Sequence, residues 1–328
     1  MHQMAVEYPQ RGQVCLVDIG EPPPLQPTQI LMRTHYTGVT NGTERHALLG
    51  EHGFTRYPSR HGYQHVGRVE AVGQAVKGFQ PGDWVFYGQY VGHRGWNVVD
   101  VAFADVYSNS SHLCLRLPEG MDYRLCALFG VAGVAMRAVR RFRVKPAQKV
   151  WVAGVGVIGQ FAAQAARAFG ADVTVSDLQQ HRLDVAKTCG SHRCINVGEQ
   201  GVESLQDHAP YDCIIDCSGA PDLLKQVHEM HLLARGGVIG LVAVRSQTEF
   251  PWAMLHATEA SIEVSCHFSL DDLRVLLHFV RQGIIRIEPV VSHVASIEQA
   301  PVLYEVLRDR PGDLLGVIFD WGCCSRNS

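Results

Sequence analysis

The chain has 328 residues, of which 46% are apolar and 19% are charged, and its formal net charge is −3. This length suggests about two domains at roughly 150 residues each. The apolar content is that of a globular protein and excludes a disordered chain. Because the basic residues are scattered along a slightly acidic chain, the sequence predicts no nucleic-acid partner.

No part of the sequence approaches the roughly 20 uninterrupted apolar residues that a membrane helix needs. The start of the chain, residues 1–8, lacks the basic patch and apolar run of a secretory signal. The ten cysteines form no Cys-x-x-Cys pair and no Cys/His cluster with zinc-finger spacing. They are interpreted as small buried thiols, and we expect a cytoplasmic protein with no membrane partner.

The first part of the chain, to about residue 118, is rich in short β-like runs separated by Gly, Pro and Asp. Examples are Gln29–Tyr36, Val66–Gly73 and Asp83–Tyr87. Such punctuation is typical of antiparallel strands, and it predicts a partly open β-barrel.

From about Asp122 the pattern changes to strands alternating with helices. The predicted strands are Val150–Ala153, Asp172–Ser176, Cys213–Cys217 and Val238–Val244. This alternation favours a parallel sheet covered on both faces. The pair Gly236-Gly237 is interpreted as a helix stop before the last of these strands.

A glycine-rich turn follows the first of these strands. Gly154, Gly156 and Gly159 form a Gly-x-Gly-x-x-Gly pattern that ends in an alanine-rich helix, Gln160–Phe169. In this pattern the first glycine allows a tight turn, the second lets a pyrophosphate approach the backbone, and the third lets the helix pack on the sheet. Val157 and Ile158 lie at the helix N-terminus, where backbone N–H groups bind phosphate. The pattern predicts a dinucleotide site; the alternative is a strand–helix–strand unit that binds nothing.

Asp177 ends the next predicted strand, 18 residues beyond Gly159. A carboxylate here accepts hydrogen bonds from the 2′-hydroxyl of an adenosine ribose and repels a 2′-phosphate, which favours NAD over NADP. Arg182 is a candidate contact of the same ribose or phosphate, or a solvated helix charge.

By these features the chain resembles the medium-chain dehydrogenase/reductase family over nearly its whole length. Residues 62–73 resemble the family's Gly-His-Glu-x-x-Gly-x-Val block, and residues 76–85 its lead into Gly-Asp-x-Val. The resemblance implies an α/β fold, with a GroES-like partly open β-barrel catalytic domain formed by residues 1–120 and 269–328. Residues 121–268 would form a Rossmann domain with a doubly wound parallel sheet. It also implies a homodimer, and it places Ser218 and Val242 beside the cofactor.

The departures from the family pattern concern zinc. Asn41 stands where zinc-dependent members carry a cysteine, and Tyr63 and Gln64 replace their histidine and glutamate. Residues 129–133, the usual place of the third ligand, contain no Cys, His or Asp. Zinc needs about three nitrogen, sulfur or carboxylate ligands, so no metal is expected. The run Gly38–Glu44 resembles the zinc-lacking branch that includes bacteriochlorophyllide dehydrogenases.

Three residues are candidates for proton transfer in the absence of zinc. The resemblance places Thr43 and His46 where the zinc enzymes pass a proton outward, and a hydroxyl with an imidazole suits such a relay. Tyr63, in a metal-ligand position, is a candidate acid or oxyanion donor. The alternatives are a surface role for His46 and a space-filling role for Tyr63.

Candidate substrate contacts are Asn41, Gln64, Tyr87 and Trp96. Asn41 has the alternative of fixing a turn, and the loop containing Tyr87 and Trp96 that of a surface or subunit contact. Arg245, after the last predicted strand, is expected to meet an anionic substrate group or solvent.

The sequence thus predicts a zinc-independent, NAD(H)-dependent oxidoreductase that interconverts a secondary alcohol and a ketone on a small polar biosynthetic intermediate. The first alternative is an NAD(P)H-dependent enoyl or quinone reductase of the same family, against which Asp177 argues. The second is a protein that binds the nucleotide without turnover.

Overall fold

The computed structural model describes residues 3–51, 55–102 and 112–322. It divides into two compact units. Unit 1 comprises Met1–Gly130, Ser269–Arg274 and Val291–Ser328, and unit 2 comprises Val131–Phe268 and Val275–Val290. The division into a catalytic domain (1–120 and 269–328) and a dinucleotide-binding domain (121–268) stays a prediction. Over the described ranges, no helix has the length and apolar character to cross a membrane.

Unit 1 is built mainly of β-strands. They are β1 (Met4–Glu7), β2 (Cys15–Asp18), β3 (Gln29–Gly38), β4 (His65–Val72), β5 (Trp84–Tyr87), β6 (Trp96–Asp100), β7 (Cys114–Arg116), β14 (Val291–Ser296) and β15 (Gly316–Asp320). A 7-stranded sheet has the order β14-β15-β3-β4-β5-β7, with β6 also pairing β3. Its pairs are antiparallel except β14 with β15. The predicted GroES-like β architecture is confirmed.

Helix α1 (Asn41–Leu48) directly follows β3, the longest strand of this sheet. Its apolar residues Ala47 and Leu48 pack in one cluster with Tyr304 of α9 (Ala300–Asp309) and with Phe319 of β15. Because this core anchors α1 on two sides, the polar residues of its first turn have a defined place.

Unit 2 contains a 6-stranded parallel sheet in the order β10-β9-β8-β11-β12-β13. The strands are β8 (Lys149–Ala153), β9 (Asp172–Asp177), β10 (Arg193–Asn196), β11 (Tyr211–Asp216), β12 (Leu233–Leu241) and β13 (Ser261–Val264). The strand order reverses between β8 and β11, and ligands of doubly wound sheets bind at such a point, at the carboxyl ends of the strands. The predicted Rossmann-like sheet is confirmed.

The remaining helices connect these strands or follow the sheet. They are α2 (Phe129–Arg141), α3 (Val157–Ala168), α4 (Gln180–Thr188), α5 (Val197–Gln200), α6 (Leu223–Glu229), α7 (Trp252–Thr258) and α8 (Leu270–Arg281). Short 3-10 helices occupy Leu125–Leu128, Val202–His208, Glu288–Val290, Ile297–Gln299 and Pro311–Asp313.

The interpretation of Gly236-Gly237 as a helix stop is wrong. Both glycines lie inside β12, where the register with β11 shifts between the pairs Tyr211–Leu233 and Cys213–Val238. Gly236 has φ +70°, a backbone conformation that glycine adopts without strain. The glycines therefore form a bulge that bends the strand rather than ending a helix.

Candidate functional site

The glycine-rich turn of unit 2 begins where β8 ends. Gly154 has φ +83°, and a Cβ atom there would lie 2.8 Å from Cα of Ser218. A Cβ on Gly159 would lie 1.9 Å from the carbonyl oxygen of Gly154. Both positions accept only glycine, because a side chain would collide with backbone atoms that cannot move aside. The turn therefore has the tight strand-to-helix geometry that the sequence predicted.

Gly156 differs from the other two glycines, because a Cβ there would meet no atom within 4 Å. It is the N-cap of the 12-residue helix α3, and no side chain caps this end. The N–H groups of Val157, Ile158 and Gly159 precede the first intrahelical bond, which Gln160 donates to the Gly156 carbonyl at 2.9 Å. Open space beside these donors and the positive end of the helix dipole fit a pyrophosphate.

Asp177 lies at the carboxyl end of β9, with 9% of its surface exposed. One carboxylate oxygen accepts the N–H of Val155 at 2.8 Å, and the other accepts that of Gln179 at 2.9 Å. These two bonds hold the carboxylate beside the glycine turn and leave acceptor capacity on both oxygens. Arg182 lies half-buried in the first turn of α4, where its carbonyl accepts the Gln160 amide at 2.7 Å.

Asp216 is a functional candidate that the sequence reasoning did not select. It is fully buried at the end of β11, and its Oδ1 accepts the N–H and the hydroxyl of Ser218 at 2.9 and 2.8 Å. Its carbonyl accepts the N–H of Val242 at 3.0 Å. Asp216 thus ties the two predicted cofactor residues, Ser218 and Val242, to one strand end. An acid that ends a buried strand in an Asp-x-Ser-Gly turn was the available signal.

Arg245 has a partner that the sequence did not predict. Its guanidinium pairs with the Oδ2 of Asp216, and its side chain is only 18% exposed. The reason is electrostatic. The buried carboxylate of Asp216 has lost its hydration, so a cation beside it compensates the cost of burying the charge. The expectation that Arg245 meets an anionic substrate group or solvent stays a prediction, and its pairing with Asp216 adds a partner that the sequence did not predict.

In unit 1, helix α1 carries three of the predicted residues. The amide of Asn41 donates to the carbonyls of Leu314 and Leu315 at 3.2 and 2.9 Å. Thr43 is half-buried on the same helix. His46 has 41% of its side chain exposed, and its Nδ1 bonds to Glu51. Asn41 thus fastens α1 to the segment before β15, and His46 reaches solvent.

Tyr63 and Gln64 are both buried, at 2% and 0% exposure. A Cβ on Gly130 would lie 2.5 Å from Gln64 and 2.8 Å from the Tyr63 ring, so both side chains pack against this glycine. The Tyr63 ring also contacts that of Tyr90, which is 58% exposed, with centroids 4.6 Å apart. Gln64 Nε2 donates to Thr40 Oγ1 at 3.3 Å.

These residues do not fit a zinc ion. The Asn41 amide is bound to backbone carbonyls, Tyr63 offers a phenol, and Gln64 donates to a hydroxyl. Neutral amides and phenols are poor zinc ligands. Over residues 3–51, 55–102 and 112–322, no three His, Cys, Asp or Glu side chains are grouped so that they could hold a metal.

Four further buried residues of unit 1 are held mainly by contacts that stabilise the fold. His65 is fully buried and its Nε2 bonds to the Gly92 carbonyl at 2.9 Å; burial lowers its pKa to about 3, so the ring is neutral. Tyr87 packs in a core cluster of the sheet, and burial raises its pKa. The Trp96 indole donates to the Gly20 carbonyl at 2.9 Å. Cys126 is 1% exposed.

A second group missed by the sequence reasoning surrounds Glu44, which is 1% exposed. Its carboxylate accepts the Thr40 N–H at 2.7 Å, His93 Nε2 at 3.0 Å and the Tyr304 hydroxyl. Burial raises the pKa of Glu44, but the charge of His93 and these three bonds outweigh it, so the net pKa is lowered. The sequence does not indicate the histidine or the tyrosine as partners, because both are far from Glu44 along the chain.

Comparison with known proteins identifies the class to which this fold and these sites belong. Residues 26–151 match the alcohol dehydrogenase GroES-like domain, and residues 157–282 match the zinc-binding dehydrogenase domain. The two matches together span most of the chain. The chain therefore belongs to the zinc-type alcohol dehydrogenase-like medium-chain dehydrogenase/reductase superfamily, and it is an NAD(P)-dependent oxidoreductase of the alcohol dehydrogenase type.

Individual relatives agree with this assignment. The sorbitol dehydrogenase of Mus musculus is 26% identical over 325 residues, covering 88% of both chains. The alcohol dehydrogenase TADH from Thermus sp. ATN1 has a TM-score of 0.81 at 22% identity, covering 97% of this chain and 99% of that one. An Escherichia coli CFT073 short chain alcohol dehydrogenase, solved with NADH, has a TM-score of 0.83 at 18% identity, with 97% and 99% coverage.

Proposed function

We propose that this chain is a zinc-independent, NAD(H)-dependent oxidoreductase that interconverts a secondary alcohol and its ketone. The observation that carries the proposal is the pairing of an intact dinucleotide turn with metal-ligand positions that hold the Asn41 amide, the Tyr63 phenol and, in residues 129–133, no Cys, His or Asp. The resemblance of Gly38–Glu44 to a zinc-lacking branch supports the absence of zinc and says nothing of the substrate.

NAD is the proposed coenzyme. Asp177 stands beside the turn with a carboxylate held by two backbone N–H groups, and it would accept the ribose hydroxyls. A 2′-phosphate would bring negative charge to the same place, which disfavours NADP. The bound nicotinamide supplies or accepts the hydride.

The proton of the substrate hydroxyl needs a partner from the chain itself. As the substrate C–H leaves as hydride, the O–H proton passes to a base, and in reduction an acid returns it to the carbonyl oxygen. We propose that the Tyr63 phenol donates this proton in reduction and that its phenolate accepts it in oxidation. Thr43 and His46 are the proposed outward relay, because Thr43 both donates and accepts and the imidazole of His46 is in contact with solvent.

The proposed substrate is a small polar molecule that carries several hydroxyls. Two relatives are named sorbitol dehydrogenase and D-xylulose reductase, which are names of polyol and ketose enzymes. Asn41, Gln64, Tyr87 and Trp96 remain the candidate contacts. Of these, Gln64 has the strongest support, since it adjoins Tyr63 directly.

The test combines metal analysis with turnover assays. We expect well below one zinc per purified chain, and unchanged activity after dialysis against a strong chelator. With ketoses as substrates, NADH should be oxidised faster than NADPH. NADH should also be oxidised faster with ketoses than with quinones or enones. Stoichiometric zinc, or loss of activity restored by zinc, would overturn the metal-free proposal. Preference for quinones or enones with NADPH would favour the reductase alternative, and tight NAD binding without turnover the non-enzymatic one.

We further propose that the protein is a homodimer. Strand β13 is at one edge of its sheet, the place where a strand of a second copy can pair. Val264 on this strand is 60% exposed, and Trp252 in the same unit is 71% exposed. Light scattering should report twice the chain mass of 36.2 kDa, and Val264→Lys should shift it toward the monomer. A monomer in the unmodified protein would contradict this.

A reducing compartment such as the cytoplasm is the proposed location. The eight cysteines within the described ranges are all free thiols, and burial raises the pKa of Cys114, Cys126 and Cys217. Cys323 and Cys324 lie outside the described residues. Cell fractionation tests this location.

A further inference from the structure

The buried pair Glu44 and His93 lies outside the residues assigned to the reaction, yet it joins two segments that carry them. Glu44 belongs to α1, one residue after Thr43. The pair is withdrawn from solvent, with 1% and 0% of the two side chains exposed and 3.0 Å between them. A buried carboxylate without partners would be strongly destabilising, so this site must be filled by a matching donor.

On the other side, His93 is packed against the backbone that leads into Tyr63. A Cβ on Gly62 would lie 2.7 Å from the His93 ring, so this ring lies directly on the glycine. Two backbone bonds run in parallel with this contact: Gly92 donates to the Gly62 carbonyl at 3.0 Å, and His93 to the His61 carbonyl at 3.1 Å. Any movement of His93 therefore moves the segment that carries Tyr63.

Thr40 provides a second connection between the same two segments. Thr40, just before α1, gives its N–H to Glu44 at 2.7 Å and accepts from the Gln64 amide at 3.3 Å. The contacts thus run from Glu44 through His93 and Gly62 to Gln64, and back through Thr40. They enclose the two segments that, by the family resemblance, carry metal ligands in zinc-dependent relatives.

We propose that Glu44 and His93 are a positioning pair that cross-links helix α1 to residues 61–65, and so holds Thr43 and Tyr63 in working geometry in a chain whose residues do not fit zinc. The inference rests on the proposed function for the catalytic meaning of that geometry. The cross-link itself is a property of unit 1, and it can be measured without any turnover.

Three variants test the pair. His93→Leu removes the donor to Glu44, whereas His93→Gln keeps an N–H donor of similar reach. Tyr304→Phe removes one bond to Glu44 and leaves the His93 contact, so it is the milder change if His93→Leu folds poorly. Arg33→Gln is the matched control, since it breaks an exposed ion pair with Glu70 on the same sheet.

The first measurement is hydrogen exchange followed by mass spectrometry. In His93→Leu we expect the backbone amides at positions 38, 92 and 93 to exchange at least about 10-fold faster, because their bonds hold the 61–65 segment. His93→Gln should restore most of the protection, and Arg33→Gln should leave it unchanged. Uniform loss of protection across unit 1, or none at these amides, would overturn the cross-link.

The second measurement is kinetic. We expect kcat of His93→Leu to fall about 10- to 100-fold, since small displacements of reacting groups cost this much. The Kd for NADH should stay unchanged, because the coenzyme residues are in unit 2, and His93→Gln should recover most of kcat. Local loss of protection with intact kcat would overturn the positioning role. If the unmodified protein has no turnover, the proposed function fails, while the exchange result still decides whether the cross-link exists.

Discussion

Replacing Tyr63 by Phe is expected to lower kcat by about 100-fold or more, because proton transfer by a positioned side chain contributes about 10²- to 10⁴-fold. The change removes only the hydroxyl. The ring keeps its packing against Gly130 and Tyr90, so the melting temperature should change little. Stopped-flow oxidation of NADH with the best ketose measures the effect, and the Kd for NADH should be unaltered.

The control for this change is Tyr211→Phe. Tyr211 is also a buried tyrosine, 1% exposed, whose hydroxyl donates to the Leu205 carbonyl at 3.0 Å in unit 2. The Tyr211→Phe variant should be slightly less stable than the unmodified protein and equally active. Full activity of Tyr63→Phe would mean that this ring only fills the space that a metal and its ligand take in other members of the family, and another group would have to transfer the proton.

Replacing Asp177 by Ser is expected to weaken NAD binding about 10- to 100-fold, since hydrogen bonds to a charged group contribute about 1.5–3 kcal/mol. Serine offers a shorter, neutral acceptor to the ribose, and it removes the charge that repels a 2′-phosphate. Binding of NADP should therefore stay the same or improve. Titration of both coenzymes by calorimetry measures the change in preference.

A matched control lies on the same strand. Asp172 is at the amino end of β9, where it pairs with Arg193. The glycine turn lies at the opposite, carboxyl ends of the strands. Asp172→Ser should leave the binding of both coenzymes unchanged. An equal loss of NAD and NADP affinity in Asp177→Ser would show that the carboxylate acts only by holding Val155 and Gln179, and the assignment to the ribose would be wrong.

Much of the coenzyme half was predictable from the sequence, because its signals are local. The glycine spacing, the alanine-rich helix and the acid that ends the following strand all lie within 30 residues. Gly154 and Gly159 are constrained by backbone atoms close by in the chain or on the neighbouring strand, whereas Gly156 borders open space. Short-range steric rules such as these act wherever the chain folds as a strand, a turn and a helix.

The surroundings of the candidate residues in unit 1 could not be predicted in the same way. The side-chain partners of Glu44 are 49 and 260 residues away, and Asn41 reaches carbonyls more than 270 residues along the chain. Such pairs depend on how the strands order themselves in the sheet. The glycine bulge in β12 is a similar case, because glycines that end a helix and glycines that bend a strand look alike in sequence.

The sequence by itself determined the two-part α/β architecture, the dinucleotide turn and the absence of zinc-ligand residue types from the family positions. These follow from residue periodicity, from steric limits on single positions and from side-chain chemistry. Only the tertiary structure decided which polar groups are buried together. A buried charge takes whichever partner the fold brings within about 3 Å, and that choice is made by packing between segments far apart in the chain.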